Sequence, residues 1–236
     1  MGVVALLVLG STNAKAAGPY RFHSPSGRFD ILVQPLSDDW THVKKAQEGA
    51  AKESMKQYGL DLYAAKSTEP VNSMVYSDLN PPMTPEELVR TMLWSPNEAF
   101  VALPDRQKAR EQNHVFQLVA SLSTNKLWSL QADHVQWIDD HRFVGDLNTK
   151  ELPGAIIEFD GTAGKANVLV QPESGIGYQI AELSGRQLTV KEILNDRGTG
   201  QTTWESFTPS CFNVDLDSLK KRSVPCPASA ALGGSR

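Results

Sequence analysis

Cysteine is scarce in this chain, and long apolar stretches are missing. The 236 residues include only 2 Cys, at positions 211 and 226, too few to supply a four-thiol metal site. The apolar run Val3–Leu9 falls far below the ~20 residues that an α-helix needs to cross a bilayer, and no other run comes close. We therefore expect no membrane span.

Basic residues are also in short supply. Lys and Arg number 23 against 27 Asp and Glu, which gives a formal charge of −4. Nucleic-acid binding depends on clustered Lys and Arg that neutralise phosphates, so the composition argues against a nucleic-acid partner. Hydrophobic residues make up 40% of the chain, and the 14 Pro favour short elements joined by many turns.

The N-terminus is typical of an export signal. Val3–Leu9 is followed by Ala14-Lys15-Ala16, a small-x-small cleavage pattern, although no basic residue precedes the apolar run. The alternative is a buried first strand. We predict that residues 1–16 are a signal peptide and that the protein is periplasmic or secreted.

The two cysteines agree with export, because thiols in an oxidising compartment usually pair. A bridge between Cys211 and Cys226 would close a loop of about 15 residues and stabilise the fold by roughly 3 kcal/mol. The alternatives are a metal site, for which no further ligands stand nearby, and two buried free thiols.

Two helices are predicted within an insertion at 37–93. The first begins at Ser37 or Asp38 and ends at Gly59, and apolar residues recur along one face at helical spacing. Those residues are Trp40, Val43, Ala46, Ala50, Met55 and Tyr58. Leu60–Ala65 is then predicted as a short strand and Ser67–Pro82 as a loop.

The second predicted helix is short and begins at Thr84. Pro85 suits the first helical position, and Glu87 can complete a capping box with Thr84. The helix must end early, because Pro96 moves Ser95 out of the α region.

An aromatic residue, a polar turn and an apolar pair recur along the chain. Trp94–Val101 and Trp137–Val144 carry Trp, Phe and Val at positions 43 residues apart. A copy without the Trp lies at His23–Asp30. Strand and turn patterns alternate from Glu98 onward, which predicts an antiparallel meander.

This repeat resembles the blades of periplasmic β-propellers, in which each blade opens with an aromatic-Ser-Pro-Asp-Gly-Arg-aromatic phrase. The matching residues are Trp94-Ser95-Pro96-Asn97, Ser24-Pro25-Ser26-Gly27-Arg28-Phe29 and Asp140-His141-Arg142-Phe143. The resemblance implies a binding platform more often than an enzyme. A closed propeller needs at least four blades of about 40 residues, and only two or three are visible.

The expected fold is therefore mainly β: an antiparallel meander of propeller-like blades, either closed or incomplete as a ring, with one long amphipathic helix and one short helix. We predict one β-rich domain over residues 17–226 and a disordered tail over 227–236, which is rich in small residues.

A second, shorter resemblance covers Phe29–Leu62, which looks like the first strand-helix-strand of periplasmic sugar-binding proteins. In that family an aromatic residue after the first strand stacks on sugar, and Trp40 stands at that place. Trp204 is the other tryptophan that the repeat does not constrain. The two are predicted as candidates for binding a small ligand or glycan.

Two charged clusters complete the candidates. Asp133, His134, Asp139, Asp140 and His141 could form the acid-base or metal site of a hydrolase, or simply the polar turn of the repeat. Lys220, Lys221 and Arg222 lie inside the expected disulfide loop, where they could bind an acidic partner or be solvated.

The sequence contains no nucleophile elbow and no phosphate-binding loop, so no catalytic residue, metal or cofactor is assigned. The leading hypothesis is a non-catalytic module that binds another envelope or secreted protein.

Overall fold

The computed structural model describes residues 19–42, 53–79, 83–112, 114–149, 152–194 and 208–227. Within those ranges the chain is mainly β, with sixteen strands and two short helices. The strands form four antiparallel sheets, each made of four strands that follow one another along the chain. The mainly β prediction is confirmed, and the predicted signal peptide lies outside the described residues.

Each sheet is a simple meander. Sheet 1 contains β1 (Tyr20–His23), β2 (Phe29–His42), β3 (Glu53–Ala64) and β4 (Pro70–Leu79). Sheet 2 contains β5 (Leu93–Trp94), β6 (Phe100–Pro104), β7 (Phe116–Ser121) and β8 (Leu127–Gln131). Helix α1 (Pro85–Arg90) precedes this sheet, and helix α2 (Arg106–Gln112) lies between β6 and β7.

The second half of the chain repeats this plan without helices among the described residues. Sheet 3 contains β9 (Asp133–Trp137), β10 (Arg142–Asn148), β11 (Pro153–Asp160) and β12 (Lys165–Val170). Sheet 4 contains β13 (Ile176–Ser184), β14 (Gln187–Leu194), β15 (Cys211–Asp215) and β16 (Lys221–Val224).

Three apolar clusters join consecutive sheets, because alternate residues along each strand point to opposite faces. The cluster between sheets 1 and 2 includes Ile31, Leu60, Tyr76, Leu88 and Val101. The cluster between sheets 2 and 3 includes Phe100, Val119, Phe143, Ile157 and Phe159. The cluster between sheets 3 and 4 includes Val144, Ile156, Tyr178, Leu188 and Val214. The sheets are therefore stacked in chain order.

The turn that joins the first and second strands of each sheet, here called the entry turn, is where the sequence repeat lies. The entry turns span 24–28, 95–99, 138–141 and 185–186. In the first two, Ser24 and Ser95 occupy equivalent places. Each hydroxyl accepts a hydrogen bond of 3.1 Å from the amide of the phenylalanine that starts the next strand, Phe29 or Phe100.

The two repeated tryptophans also have matching surroundings. Trp94 stacks on Phe29 of the preceding sheet with ring centroids 6.3 Å apart. Trp137 contacts Phe100 of its own preceding sheet at the same distance of 6.3 Å. The Trp of one copy thus packs on the Phe of the copy before it, which explains why both residues recur.

The long helix predicted from 37 to 59 is wrong over the described residues. Residues 37–42 belong to β2 and residues 53–64 to β3, and β3 pairs with β2 on one side and β4 on the other. Tyr58, Leu60 and Leu62 are buried at alternate positions, the period of a strand. Backbone pairing with two neighbours outweighs the local helical spacing, as tertiary context often does.

The short helix is confirmed, with the predicted capping box between Thr84 and Glu87. Two other assignments change. Most of the predicted loop at 67–82 is strand β4, in which Asn72, Met74 and Tyr76 are buried at alternate positions. The charged stretch after β6, which lies within the predicted meander of strands and turns, forms helix α2.

Candidate functional site

The predicted disulfide is present. Cys211 and Cys226 are bonded, with their Cα atoms 5.1 Å apart. Cys211 begins β15, and Cys226 lies just beyond the end of β16. The bridge therefore closes the open end of the β15–β16 hairpin.

The side chains of the two tryptophans predicted to bind a ligand fall outside the described part of the structure. Trp40 lies in β2 opposite Met55, not in a helix, and its side chain lies outside the described part of the structure. Trp204 also lies outside the described residues. The small-ligand or glycan role of these two residues remains a prediction.

The acidic and histidine cluster is divided between the two ends of a hairpin. Asp133 and His134 begin β9, whereas Asp139, Asp140 and His141 lie in the entry turn beyond its other end. His134 and Asp139 lie at opposite ends of this segment, about 16 Å apart for extended chain at about 3.3 Å per residue. The five residues therefore do not form the single acid-base site that was considered from the sequence.

The entry-turn group has a structural role. Asp139 accepts a hydrogen bond of 2.8 Å from Arg142 Nε and lies 3.7 Å from the Arg186 guanidinium of sheet 4. Asp140 accepts a hydrogen bond of 3.1 Å from the amide of Asn97 in sheet 2. These carboxylates link consecutive entry turns.

In the other group, His134 pairs with Asp146, which was not among the residues predicted from the sequence. His134 Nδ1 lies 2.6 Å from Asp146 Oδ2, and the Asp146 side chain is only 10% exposed. The second carboxylate oxygen of Asp146 accepts a hydrogen bond of 2.8 Å from the amide of Ile180 in sheet 4. The sequence does carry one signal for Asp146, because it is an acidic residue between Phe143 and Leu147 in a strand of mostly apolar residues.

The His134–Asp146 pair has perturbed titration. The hydrogen bond to Asp146 raises the pKa of His134 above its usual value, and the Asp133 charge acts in the same direction. Burial raises the pKa of Asp146, against the opposing effects of His134 and the Ile180 amide. His134 also has a φ of 45°, in the left-handed region that non-glycine residues rarely adopt. A strained backbone and a shifted pKa often mark a functional residue. Here they accompany a structural contact as well, because Asp146 binds both His134 of sheet 3 and the Ile180 amide of sheet 4.

This geometry predicts a pH-dependent contribution to stability. Because the folded pKa of His134 is raised, its contribution is complete below the unfolded pKa of about 6.5 and is lost as the pH rises through the folded value. Urea midpoints measured from mildly acidic to alkaline pH should fall for the wild type more than for His134→Gln. A His114→Gln variant serves as the control and should keep the wild-type dependence, and identical curves for all three proteins would contradict the assignment.

The basic cluster is placed on an exposed, pinned hairpin. Lys220, Lys221 and Arg222 are all exposed, and the last two belong to β16. Among the described strands, β16 is the end strand of sheet 4 and pairs with β15 alone. The nearby carboxylate of Asp217 is engaged by Arg186 at 2.6 Å.

A shallow cavity of about 270 Å³ lies between β4 of sheet 1 and the region of α2 in sheet 2. Its charged lining is already used within the protein. Lys108 Nζ donates a hydrogen bond of 3.0 Å to Ser129 and lies 4.6 Å from the centroid of the Phe116 ring. Asp105 accepts a hydrogen bond of 3.1 Å from the same serine. These contacts give the lining a structural role.

No group of three or more His, Cys, Asp and Glu side chains suited to a metal ion occurs among the described residues. Within the same ranges, neither helix has the length and apolar character required to cross a bilayer.

Comparison with known proteins gives distant structural similarity only. No protein-family model and no curated protein matches the chain. It is similar to a solved structure of oligogalacturonate lyase in complex with manganese, at 12% identity and a TM-score of 0.43, over 87% of this chain and 53% of that one. It is also similar to the AtxE2 isopeptidase in its apo form, at 12% identity and a TM-score of 0.33, over 89% of this chain and 45% of that one. The chain spans about half the length of the solved structures that it matches.

Proposed function

We propose that this chain is an exported, non-catalytic protein-interaction module of the periplasm or cell envelope, built from propeller-like blades. Its disulfide-pinned basic hairpin binds an acidic, extended segment of a partner protein. The observation that carries the proposal is that an exposed cationic cluster lies on an end strand whose open end is closed by a disulfide.

The end strand supplies the geometry for binding. Within the part of the chain that the structure describes, β16 hydrogen-bonds to β15 on one side and to no strand on the other, so the backbone groups on its other side can pair with an extended peptide. The bond between Cys211 and Cys226 holds the hairpin in one arrangement, which reduces the entropy lost on binding. The same bridge supports an oxidising, extracytoplasmic compartment.

The charge supplies the specificity. The chain has a net charge of −4, yet Lys220, Lys221 and Arg222 are three consecutive positive residues on one exposed segment. A partner segment rich in Asp and Glu is attracted to this segment, whereas the rest of the protein surface repels it on average.

Charge reversal on the hairpin should weaken binding of an acidic peptide. A fluorescent peptide in which Glu alternates with Val is titrated against the wild type and against a Lys220→Glu, Arg222→Glu double variant. We expect about a tenfold loss of affinity, equivalent to ~1.4 kcal/mol, and weaker binding of the wild type at higher salt. Anisotropy measures both effects.

The matched control is Lys126→Glu, Lys165→Glu, which changes two exposed lysines and gives the same net charge. It should retain most of the wild-type affinity. The proposal fails if the wild type does not bind the peptide saturably, or if the two double variants lose affinity equally, since the attraction would then be a property of net charge alone.

A further inference from the structure

Sheet 4 carries a pair of perpendicular aromatic rings beside the basic hairpin. The ring centroids of Tyr178 and Phe212 lie 5.5 Å apart, and the ring planes meet at 84°. Tyr178 belongs to β13 and Phe212 to β15, so the two rings come together only when the sheet is formed. Two ring faces at this angle form two walls of a corner in which a cation can face both π systems.

A cation of the same chain already occupies this corner. Lys221 Nζ lies 5.1 Å from the centroid of the Phe212 ring and 5.8 Å from that of Tyr178. Among the described residues, two other cations face aromatic rings, Arg28 and Lys108, and each faces a single ring. The arrangement around Lys221 therefore differs from an ordinary surface contact between a cation and one ring.

Carboxylates reinforce the preference for positive charge. The Tyr178 hydroxyl donates a hydrogen bond of 3.0 Å to Glu173 Oε1. Burial raises the pKa of Tyr178 to about 12, and the charges of Glu173 and Glu192 act in the same direction. Both carboxylates thus act on the ring that forms one wall, and negative potential there favours a bound cation.

The internal occupant is held weakly enough to be displaced. Lys221 is exposed and lies on the end strand of the sheet. Its ammonium forms no salt bridge within the described residues and faces the Tyr178 and Phe212 rings. Tyr178, in contrast, is only 3% exposed, so the ring wall belongs to the packed sheet and stays in place when the lysine moves.

We propose that Tyr178 and Phe212 form a binding site for a quaternary ammonium group and that Lys221 closes this site as an internal pseudo-ligand. A quaternary ammonium group is attracted to the same ring faces as Lys221. This inference goes beyond the protein-binding role of the hairpin, because it uses the aromatic face of sheet 4 and not the strand edge.

The test removes the pseudo-ligand and supplies a minimal cation. Tetramethylammonium chloride is titrated into Lys221→Ala, and the aromatic side-chain resonances are followed by NMR. We expect saturable shifts of Tyr178 and Phe212 with a Kd on the order of millimolar. The wild type should bind at least roughly tenfold more weakly, because Lys221 competes for the site.

Three controls separate this result from a general effect. Lys220→Ala removes the adjacent charge but leaves Lys221 over both rings, and it should behave as the wild type. A Lys221→Ala, Phe212→Leu double variant should lose binding. tert-Butanol, a neutral molecule of similar size, should produce no saturable shift in Lys221→Ala.

The inference is overturned if folded Lys221→Ala shows no saturable binding, or if tert-butanol binds equally well, since the site would then select shape and not charge. Lys221→Met gives an independent check: its neutral chain covers the rings, and it should stay closed to tetramethylammonium. Binding of the acidic peptide depends on Lys220 and Arg222, so failure of either proposal leaves the other testable.

Discussion

Replacing Gly154 with alanine should lower the free energy of unfolding by about 3 kcal/mol, the sum of a left-handed backbone penalty and a steric overlap. Gly154 has a φ of +75°, and a Cβ at this position would lie 2.7 Å from the Cα atom of Gly177 and 2.9 Å from the Tyr178 amide nitrogen. Those atoms belong to the backbone of β13, so they cannot swing aside as a flexible side chain could. Relief requires β11 of sheet 3 to move away from sheet 4.

The matched control is Gly185→Ala. Gly185 has a φ of +58°, also in the left-handed region, but a Cβ there would meet nothing within 4 Å. Its replacement should cost about 1 kcal/mol, from the backbone conformation alone. Urea unfolding of both variants and the wild type measures the difference, and equal losses would show that the close approach of Gly154 to Gly177 is unimportant.

The features predicted correctly from the sequence are those that local chemistry determines. Thr84 and Glu87 form a capping box wherever the helix lies, because both groups belong to one turn of backbone. The entry turns follow the same logic, since Ser24 and Ser95 each bond to the amide five residues later. The 43-residue interval between Trp94 and Trp137 therefore identified equivalent places in two sheets.

The features that were predicted wrongly depend on distant pairing. The stretch from Ser37 to Gly59 has helical spacing of apolar residues, but β3 gains hydrogen bonds on both edges from β2 and β4. The polar residues of β4 gave no strand signal, although Asn72 is buried and donates a hydrogen bond of 3.0 Å to the Ser121 carbonyl of sheet 2. Such partners lie 49 positions apart and cannot be inferred from a local window.

The candidate sites differ in the same way, since contacts with residues distant in sequence were not predicted. The disulfide was predictable because the chain has only 2 Cys, so Cys211 and Cys226 can pair only with each other within it. The cluster at 133–141 was considered either as a hydrolase site or as the polar turn of the repeat, and the position of Asp139, Asp140 and His141 in the entry turn agrees with the second alternative. The partners that matter come from elsewhere: Asp146 for His134, and Phe212 for Tyr178.

The contact between the first two entry turns explains how stacked sheets keep their alignment. Glu98 is buried at 3% exposure, and its carboxylate accepts hydrogen bonds of 2.8 Å from the Ser24 hydroxyl and 2.6 Å from the Ser26 hydroxyl. The Ser26 amide donates a further bond of 2.7 Å. One side chain of sheet 2 therefore fixes the entry turn of sheet 1.

Replacing Glu98 with alanine should lower the free energy of unfolding by about 3 kcal/mol, because buried donors lose a charged acceptor. Glu98→Gln, which keeps the size but not the charge, should cost less. Urea midpoints measure both effects. Glu182→Ala is the control: Glu182 is an exposed strand residue, and its replacement should change the free energy by no more than about 0.5 kcal/mol.

The pH dependence of the free energy of unfolding shows whether the charge of the Glu98 carboxylate contributes, or only its packing. Burial alone would raise the pKa of Glu98, but the hydrogen bonds from Ser26 and Ser24 and the charge of Arg28 outweigh it and lower the pKa. A lowered folded pKa means that the contribution is present above the unfolded value of about 4.5 and is lost as the pH falls through the folded value. The wild type should therefore lose its advantage over Glu98→Gln in acid. If the difference between the two proteins is the same at neutral and acidic pH, the carboxylate contributes by shape, and the ionic link between sheets 1 and 2 is refuted.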